Sequence, residues 1–178
     1  MSAKTSILFI ISLLFWSCSG GLSAQSLIMA SSAAKIGTEL SIVENADLHF
    51  GTMTIPTGAV NVTVTTSGLR SATVPSLITL LSQAPVAHNA AYTIYGSKNA
   101  HYIVTLPANN TVIITSGANQ MHVDNFTIIT VNNGAGNGTG KLNLTGTDTF
   151  RIGATLKLAG SQPAGSYTGT FTITAAYN

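Results

Sequence analysis

One histidine and one aspartate stand two positions apart, a spacing that a metal ion could use. His122-Val123-Asp124 would place both polar side chains on one face of an extended strand, because alternate residues of a strand share a face. Structural and catalytic zinc sites use three or four protein ligands, and no other His, Asp or Glu spacing in the sequence supplies the rest. We therefore interpret the two residues as a surface pair and predict no metal site.

The sequence lacks the patterns that activate a nucleophile or build an acid–base pair. Serine is abundant, but no Gly-x-Ser-x-Gly turn occurs. The five carboxylates are spread along the chain, so no pair can be nominated for glycoside hydrolysis. We predict no catalytic residue, no cofactor-binding residue and no cofactor, and we do not expect an enzyme.

A glycine-rich segment has some features of a phosphate-binding loop. Residues 132–140 read Asn-Asn-Gly-Ala-Gly-Asn-Gly-Thr-Gly, and Lys141 follows. A phosphate-binding loop needs Ser or Thr after that lysine and then a helix, whereas Leu142 stands there and no helical pattern follows. The segment instead favours a loop between strands, which can still contribute contacts at its tip.

Three tyrosines lie close together in the sequence and are candidates for ligand contact. Tyr92 and Tyr95 precede the turn residues 96–99, and Tyr102 follows them, so the sequence predicts a hairpin with strands Tyr92–Tyr95 and Tyr102–Leu106. Aromatic rings on such a hairpin can form a platform on which a sugar stacks. Core and cross-strand packing explain the same three residues equally well.

The N-terminal residues have the order of a secretory signal peptide. Lys4 supplies the positive region, residues 7–16 are apolar, and residues 17–24 are small or polar. The apolar run is too short to cross a bilayer. We predict a signal peptide over 1–24 and a single domain over 25–178, in the periplasm or on the outer cell surface. A cut before Cys18 would instead produce a lipoprotein, but the bulky Trp16 disfavours that alternative.

Charge is scarce throughout the chain. Charged residues make up 7% of the sequence, against roughly 25% in ordinary globular domains. Cleavage after Ala24 would remove one of the seven Lys and Arg residues, none of the five Asp and Glu residues, and the one cysteine. No basic patch remains for nucleic acid, no transmembrane span is expected in the mature chain, and no disulfide can form.

Alternation of apolar and polar residues is the dominant pattern and predicts an all-β fold. In Thr149–Leu158, Phe150 and four further apolar residues alternate with Arg151, Thr155 and Lys157, and Ser166–Asn178 alternates in the same way. Further strands are predicted at Leu40–Val43, Leu48–Ile55, Val60–Val64, Val112–Thr115, Met121–Val123 and Phe126–Val131, with one helical turn at Ser76–Gln83. Many short strands separated by turns indicate an immunoglobulin-like antiparallel β-sandwich.

The low charge also has a consequence for the edges of the predicted sheets. Natural sheets protect exposed edge strands with charges, prolines or bulges, and this chain has few charges for that purpose. Threonine-rich strands with unprotected edges are suited to accept or donate a strand. The C-terminal strand is our candidate for such an edge, through Tyr167, Phe171, Ile173, Ala175 and Tyr177.

The C-terminal residues resemble those of chaperone–usher fimbrial subunits. Such subunits tend to end in an alternating strand with a penultimate tyrosine and a glycine about a dozen residues before it, as Gly165 and Tyr177 do here. Two features depart from those subunits. The mature chain lacks their usual disulfide, and residues 25–35 do not alternate cleanly, which makes that segment a poor donor strand.

A wider likeness extends over most of the mature chain. The segments 48–53, 92–107 and 150–156, together with the terminal strand, are similar to a family of bacterial envelope proteins called domain of unknown function 4402. The resemblance implies secretion and a pilin-like β-sandwich, but no activity or site.

We therefore expect a secreted or cell-surface structural or adhesive protein, pilin-like in fold, that self-associates by strand addition. Its expected partners are further copies of itself, other surface subunits and a periplasmic chaperone. The alternative is a monomeric extracellular module that binds a carbohydrate or a protein ligand.

The position of signal cleavage is directly testable. The exported protein is expected to begin at Gln25, because Leu22-Ser23-Ala24 has the small residues that signal peptidase requires. The intact mass of the purified product measures this. A product that begins at a lipid-modified Cys18 would contradict the prediction.

Overall fold

The protein is a two-layered β-structure, seen here in a computed structural model. The structure describes residues 37–132 and 136–178, which belong to one compact unit. The predicted signal peptide, Cys18 and residues 25–35 lie outside the described residues. The elements in chain order are β1 (Ser41–Ala46), β2 (Val60–Val64), β3 (Arg70–Ala72), a 3-10 helix (Pro75–Leu77), β4 (Ala90–Tyr95), β5 (His101–Thr105), β6 (Val112–Ser116), β7 (Asn119–Thr130), β8 (Thr139–Lys141), β9 (Thr147–Leu158) and β10 (Thr174–Tyr177).

Strand β9 is the centre of a seven-stranded sheet. It pairs antiparallel with β4, β2 and β7. Because β7 occupies one edge of β9, β4 and β2 must share the other edge, with β4 along its first half and β2 along its second. The remaining strands join at the outside, where β1 pairs with β4, β3 with β2, and β6 with β7.

The predicted alternation in β9 is confirmed. Phe150, Ile152, Ala154, Leu156 and Leu158 are all buried, while Arg151 and Lys157 are exposed. Gly153 lies where β4 gives way to β2, and a Cβ atom there would stand 2.4 Å from the Val64 carbonyl oxygen. Only glycine therefore lets the two partner strands follow each other along one edge without a shift.

A second, smaller sheet covers part of the first. Its order is β10-β5-β8, and all its pairs are antiparallel. The two sheets confirm the predicted antiparallel β-sandwich. The core between the layers has two clusters. The covered cluster, beneath the small sheet, contains Ala90, Tyr92, Ile94, Tyr102, Val104, Ile128, Leu142, Phe150 and Ile152. The second cluster contains Phe50, Val60, Val62, Val64, Ile78, Val112, Met121, Val123, Ala154, Leu156 and Leu158.

The predicted hairpin of Tyr92–Tyr95 with Tyr102–Leu106 is wrong. Strands β4 and β5 do form, but they lie in different sheets. Both edges of β4 are already paired, one with β1 and the other with β9, so β5 has no free edge on β4 to pair with. Residues 96–100 therefore cross from one layer to the other.

Two N-terminal predictions also need correction. Residues 48–55 form only the isolated bridges His49–His88 and Met53–Leu80 rather than a regular strand. The helical turn predicted at Ser76–Gln83 is limited to the 3-10 helix Pro75–Leu77. Ile78, which follows this helix, is extended. The chain then runs alongside residues 48–55, where Leu80 pairs with Met53.

The predicted strand at Ser166–Asn178 forms in two parts. Thr168 pairs with Thr115 of β6, and β10 pairs with β5. The strands predicted at Met121–Val123 and Phe126–Val131 are joined in β7 across a register shift between Asp124 and Thr127.

A buried hydrogen bond connects the two layers across the covered cluster. The Tyr102 hydroxyl of β5 donates to Asp148 Oδ2 of β9 at 2.8 Å. Asp148 Oδ1 accepts from the backbone N–H groups of Asn132 and Thr149, at 3.0 and 2.7 Å. Burial, and then the bond to Asp148, raise the pKa of Tyr102 above its ordinary value, so the hydroxyl keeps its proton and remains a donor.

The variant Tyr102→Phe tests this connection. Without the hydroxyl, Asp148 Oδ2 would remain in a buried site without a hydrogen-bond donor. We therefore expect the free energy of unfolding, measured by urea denaturation, to fall by about 1–3 kcal/mol. The exposed Tyr95→Phe serves as the control, with an expected change near zero. An unchanged midpoint for Tyr102→Phe would show that the bond contributes nothing to stability.

Candidate functional site

An open groove lies over the second core cluster. Residues 48–56 form one wall and residues 162–171 form the other. The large sheet supplies the floor through Val112, Ile114, Met121, Val123, Leu156 and Leu158. The volume of the groove is about 720 Å³. The small sheet does not extend over this half of the core, so the two walls stand where further strands would complete the second layer.

The first wall is attached to the rest of the protein along its outer side. His49 N–H donates to the His88 carbonyl at 3.0 Å, and Thr54 N–H donates to the Thr79 carbonyl at the same distance. The Arg70 guanidinium reaches across and donates to the carbonyls of Phe50 (3.0 Å), Thr52 (3.0 Å) and Leu81 (2.6 Å). This wall is therefore held in place by main-chain and side-chain bonds.

The second wall is attached in the same manner. Thr168 exchanges two backbone hydrogen bonds with Thr115 of β6, at 2.9 and 3.0 Å. The groove is closed at one end, where Ser161 N–H donates to the Pro56 carbonyl at 2.9 Å. In the described ranges, no backbone hydrogen bond joins residues 48–56 to residues 162–171. The two walls thus lie on either side of the groove and are not paired with each other through their backbones.

Two of the five C-terminal residues that we predicted as a strand-addition edge line this opening. Tyr167 and Phe171 line the groove, while Ile173 and Ala175 continue the same alternation and pack against the covered cluster. All four are only partly buried, in contrast to the fully buried Phe150 beneath them. Their core-facing side chains are therefore incompletely covered.

Tyr177, the fifth residue of the predicted edge, connects the end of β10 to the start of the described chain through hydrogen bonds. Its hydroxyl accepts a hydrogen bond from Ser97 N–H at 2.7 Å and donates to the Thr38 carbonyl. Thr38 N–H in turn donates to Ser97 Oγ at 2.9 Å. Tyr177 therefore anchors the start of the described chain beside the end of β10.

The three tyrosines predicted as ligand contacts do not form a platform. Tyr92 and Tyr95 are three positions apart on one strand and so point to opposite faces. Tyr92 is buried against Phe150, with ring centroids 5.2 Å apart, whereas Tyr95 is exposed. The ring of Tyr102 is fully enclosed in the covered cluster, so a surface role for it is wrong. Of the three, Tyr92 lines the groove; burial, with smaller effects of Glu44 and Asp47, raises its pKa to about 12.

The interpretation of His122 and Asp124 as a surface pair is wrong for Asp124. Asp124 is fully buried in the bulge of β7, where the Lys157 ammonium contacts Oδ2 and Asn110 N–H donates to Oδ1. The bond from Lys157, together with that from Asn110, lowers the pKa of Asp124. In the part of the chain that the structure describes, no group of three or more His, Cys, Asp or Glu side chains is placed to hold a metal ion.

Sequence reasoning did not find the first wall as part of a site. Its residues were predicted as an ordinary strand, and its partner wall is more than one hundred positions away in the chain. Asp47, His49 and His88 also meet at this wall, with the two imidazole rings 5.7 Å apart and His88 Nε2 at 3.5 Å from Asp47 Oδ1. No local pattern signals contacts between residues so distant in sequence.

The fold and the groove together define an antiparallel β-sandwich whose second layer is incomplete over half of the core. The chain belongs to the family described as Domain of unknown function (DUF4402), whose model matches residues 40–177. This confirms the family that the sequence resembled. No curated protein and no solved structure was found to match the chain. Within residues 37–132 and 136–178, no helix has the length and apolarity needed to span a membrane.

The Asp124 site predicts a particular pH dependence of stability. A carboxyl group whose pKa is lower in the folded state contributes stability that is present above its unfolded pKa of about 3.9 and is lost as the pH falls below that value. We expect Asp124→Asn to lower the free energy of unfolding at pH 7 by about 1–2 kcal/mol, a modest value because Lys157 is partly exposed to solvent.

The comparison is made by chemical denaturation between pH 7 and pH 2. The difference between the natural protein and Asp124→Asn should shrink as the pH falls below about 4. Glu39→Gln is the matched control, since Glu39 is exposed and forms no ion pair with another described residue. A difference that is the same at pH 7 and pH 2 would contradict the assigned ion pair.

Proposed function

We propose that this protein is a secreted or cell-surface structural subunit, pilin-like in fold, that assembles by accepting an additional β-strand in the groove. The observation that carries the proposal is the groove itself, which combines an apolar floor with two walls that are not paired with each other through their backbones. An inserted strand would bond to both walls and would cover the floor in one step. Strand addition of this kind derives affinity from main-chain hydrogen bonds and specificity from alternate side chains.

The composition of the walls supports this proposal. Neither residues 48–56 nor residues 162–171 contain a single Asp, Glu, Lys or Arg. Charged side chains on sheet edges are a common protection against association with other strands. Both walls lack charged side chains at the place where the core is open. Their edges are therefore suited to pairing with an additional strand.

The proposed setting is the bacterial envelope, because the predicted signal peptide directs export. Between export and assembly, an open groove of this kind would pair with any available strand. A periplasmic chaperone that covers the groove is therefore a proposed partner, together with further copies of the chain and other surface subunits. We propose no catalytic activity.

The second candidate is a monomeric binding module for a carbohydrate or a protein ligand. It is favoured by the size of the groove, since about 720 Å³ falls within the range of roughly 300–1,000 Å³ typical of ligand pockets. Tyr92 and Tyr167, two aromatic residues that carry hydroxyl groups, are among the residues that line it. A strictly monomeric protein that binds members of a glycan array would support this candidate over assembly.

A charge placed in the groove distinguishes assembly through this site from other kinds of association. Ile55 lines the groove and is 55% exposed, so Ile55→Lys should be tolerated by the fold. An inserted strand would bury the new ammonium group without a partner, which costs more than the ~1.4 kcal/mol that corresponds to a factor of ten. We expect self-association of the exported protein to weaken at least about tenfold, as measured by sedimentation velocity over a range of concentrations.

Val86→Lys is the matched control. Val86 is 56% exposed and does not line the groove, so this variant should associate as the natural protein does. Circular dichroism and urea unfolding verify that both variants remain folded. Equal association of the two variants would contradict assembly through the groove.

A further inference from the structure

We propose that the protein forms an amide cross-link between two of its own side chains, the Lys157 amine and the Asn110 carboxamide, with the Asp124 carboxylate as the base. The site is one of covalent self-modification. None of the three residues lines the groove, so the proposal goes beyond strand addition and does not depend on it.

The three side chains meet from three separate parts of the chain. Lys157 lies in β9 and Asp124 in the paired strand β7, while Asn110 precedes β6. Lys157 Nζ contacts Asp124 Oδ2 and donates to Asn110 Oδ1 at 3.5 Å. Reacting groups held about 3–3.5 Å apart gain the rate advantage of an intramolecular reaction. One carboxylate thus gathers the amine and the residue that carries the carboxamide.

The segment that carries Asn110 is held against β7 by hydrogen bonds. The Asn110 backbone N–H donates to Asp124 Oδ1 at 2.5 Å, and the N–H of Asn125 donates to Asn109 Oδ1 at 2.9 Å. Asn110 has a φ of 63°, in the left-handed region that asparagine tolerates better than most residues. The carboxamide therefore belongs to a fixed turn beside Lys157.

The burial and charge of Asp124 suit it to act as a base. It is fully buried, and the lowered pKa described above keeps it ionised. It can therefore accept a proton from the Lys157 ammonium, which leaves a neutral amine with a free electron pair. A base must lie within hydrogen-bond reach of the proton that it takes, as Oδ2 does here.

The remaining steps need no co-reactant. The neutral amine attacks Asn110 Cγ, and a new C–N bond forms. A second proton passes from the attached nitrogen to the carboxamide nitrogen, whose bond to Cγ then breaks. The departing ammonia takes up the proton held by Asp124, and the carboxylate is regenerated. The net reaction converts an ammonium group and a carboxamide into a secondary amide and an ammonium ion.

The surroundings of Asn110 allow this reaction to run to completion. Asn110 is exposed, so water can solvate the negative charge that develops on Oδ1 and can carry the ammonium ion away. The bond has to form only once in each molecule, so a small population of the neutral amine is sufficient.

The product preserves the bonds of the buried carboxylate. Asp124 Oδ1 keeps the Asn110 backbone N–H, and Oδ2 would accept the N–H of the new amide. A carboxylate that accepts such bonds has a lowered pKa. The direction of the pH dependence predicted for Asp124 is therefore the same before and after the link forms.

The cross-link would supply a constraint that the predicted mature chain cannot obtain from disulfides, because Cys18 is the one cysteine. Asn110 and Lys157 are 47 positions apart. A bond between them connects the start of β6 to the central strand β9. Like a disulfide, it would restrict the unfolded chain and favour the folded state.

Tryptic digestion of the exported protein followed by mass spectrometry tests the proposal. Trypsin does not cleave after an amidated lysine, so we expect a branched product that joins residues 99–141 to residues 152–178. Its mass should be one ammonia below the sum of the two peptides. The peptide measurement is needed because a glutamine at the predicted N-terminus, Gln25, can also lose ammonia.

Lys157→Arg is the matched control, since it keeps a positive charge beside Asp124 but has no amine. Asn110→Gly removes the carboxamide and tolerates the positive φ. We expect both variants to lose the branched product completely while circular dichroism shows them folded. Asp124→Ala removes the base and should leave the two peptides separate; a linked product in that variant, if folded, would overturn the role of Asp124.

The natural protein itself decides the main point. Separate peptides 99–141 and 152–157 from fully folded protein, with no branched product, would overturn the proposal. A branched product that has lost water instead of ammonia would place the bond on Asp124 and would overturn the assignment to Asn110. Fragmentation of the branched product identifies the two linked residues.

Discussion

The burial of one face of β9 is the interaction on which the rest of the structure depends. This strand pairs with β4, β2 and β7, and its inward side chains contribute to both core clusters. Phe150 and Ile152 belong to the covered cluster, while Leu156 and Leu158 lie under the groove. A single alternating strand thus supplies apolar surface to both halves of the core. The small sheet covers one half, whereas the groove lies over the other.

The difference between the two halves follows from how the second layer is built. Over Phe150, three paired strands and the Tyr102–Asp148 hydrogen bond complete the layer. Over Leu156, the layer consists of two separate segments whose inner edges are unpaired within the described residues. Hydrogen bonds from Arg70 to the Phe50 carbonyl and between Thr168 and Thr115 attach these segments to neighbouring strands. An already formed groove of this kind reduces the ordering that a partner strand must cause, which favours binding.

Asp124, one of the two residues that first suggested a metal site, has a structural role. Its buried carboxylate is bonded to Lys157 and to the backbone N–H of Asn110. Buried polar groups must be bonded because an unsatisfied one is costly. In a chain with so few charges, the buried ones serve the fold.

The sequence by itself determined the strand content, the buried face of β9 and the family, because alternation is a local property that each strand carries in its own residues. It also predicted the alternation near the C-terminus, where Phe171, Ile173 and Ala175 are partly buried and pack against the core. Only the tertiary structure decided that β4 and β5 separate into two layers, that Tyr102 is enclosed, and that residues 48–56 and 162–171 become facing walls. Those outcomes depend on which edges are already paired, and pairing between distant segments leaves no local pattern in the chain.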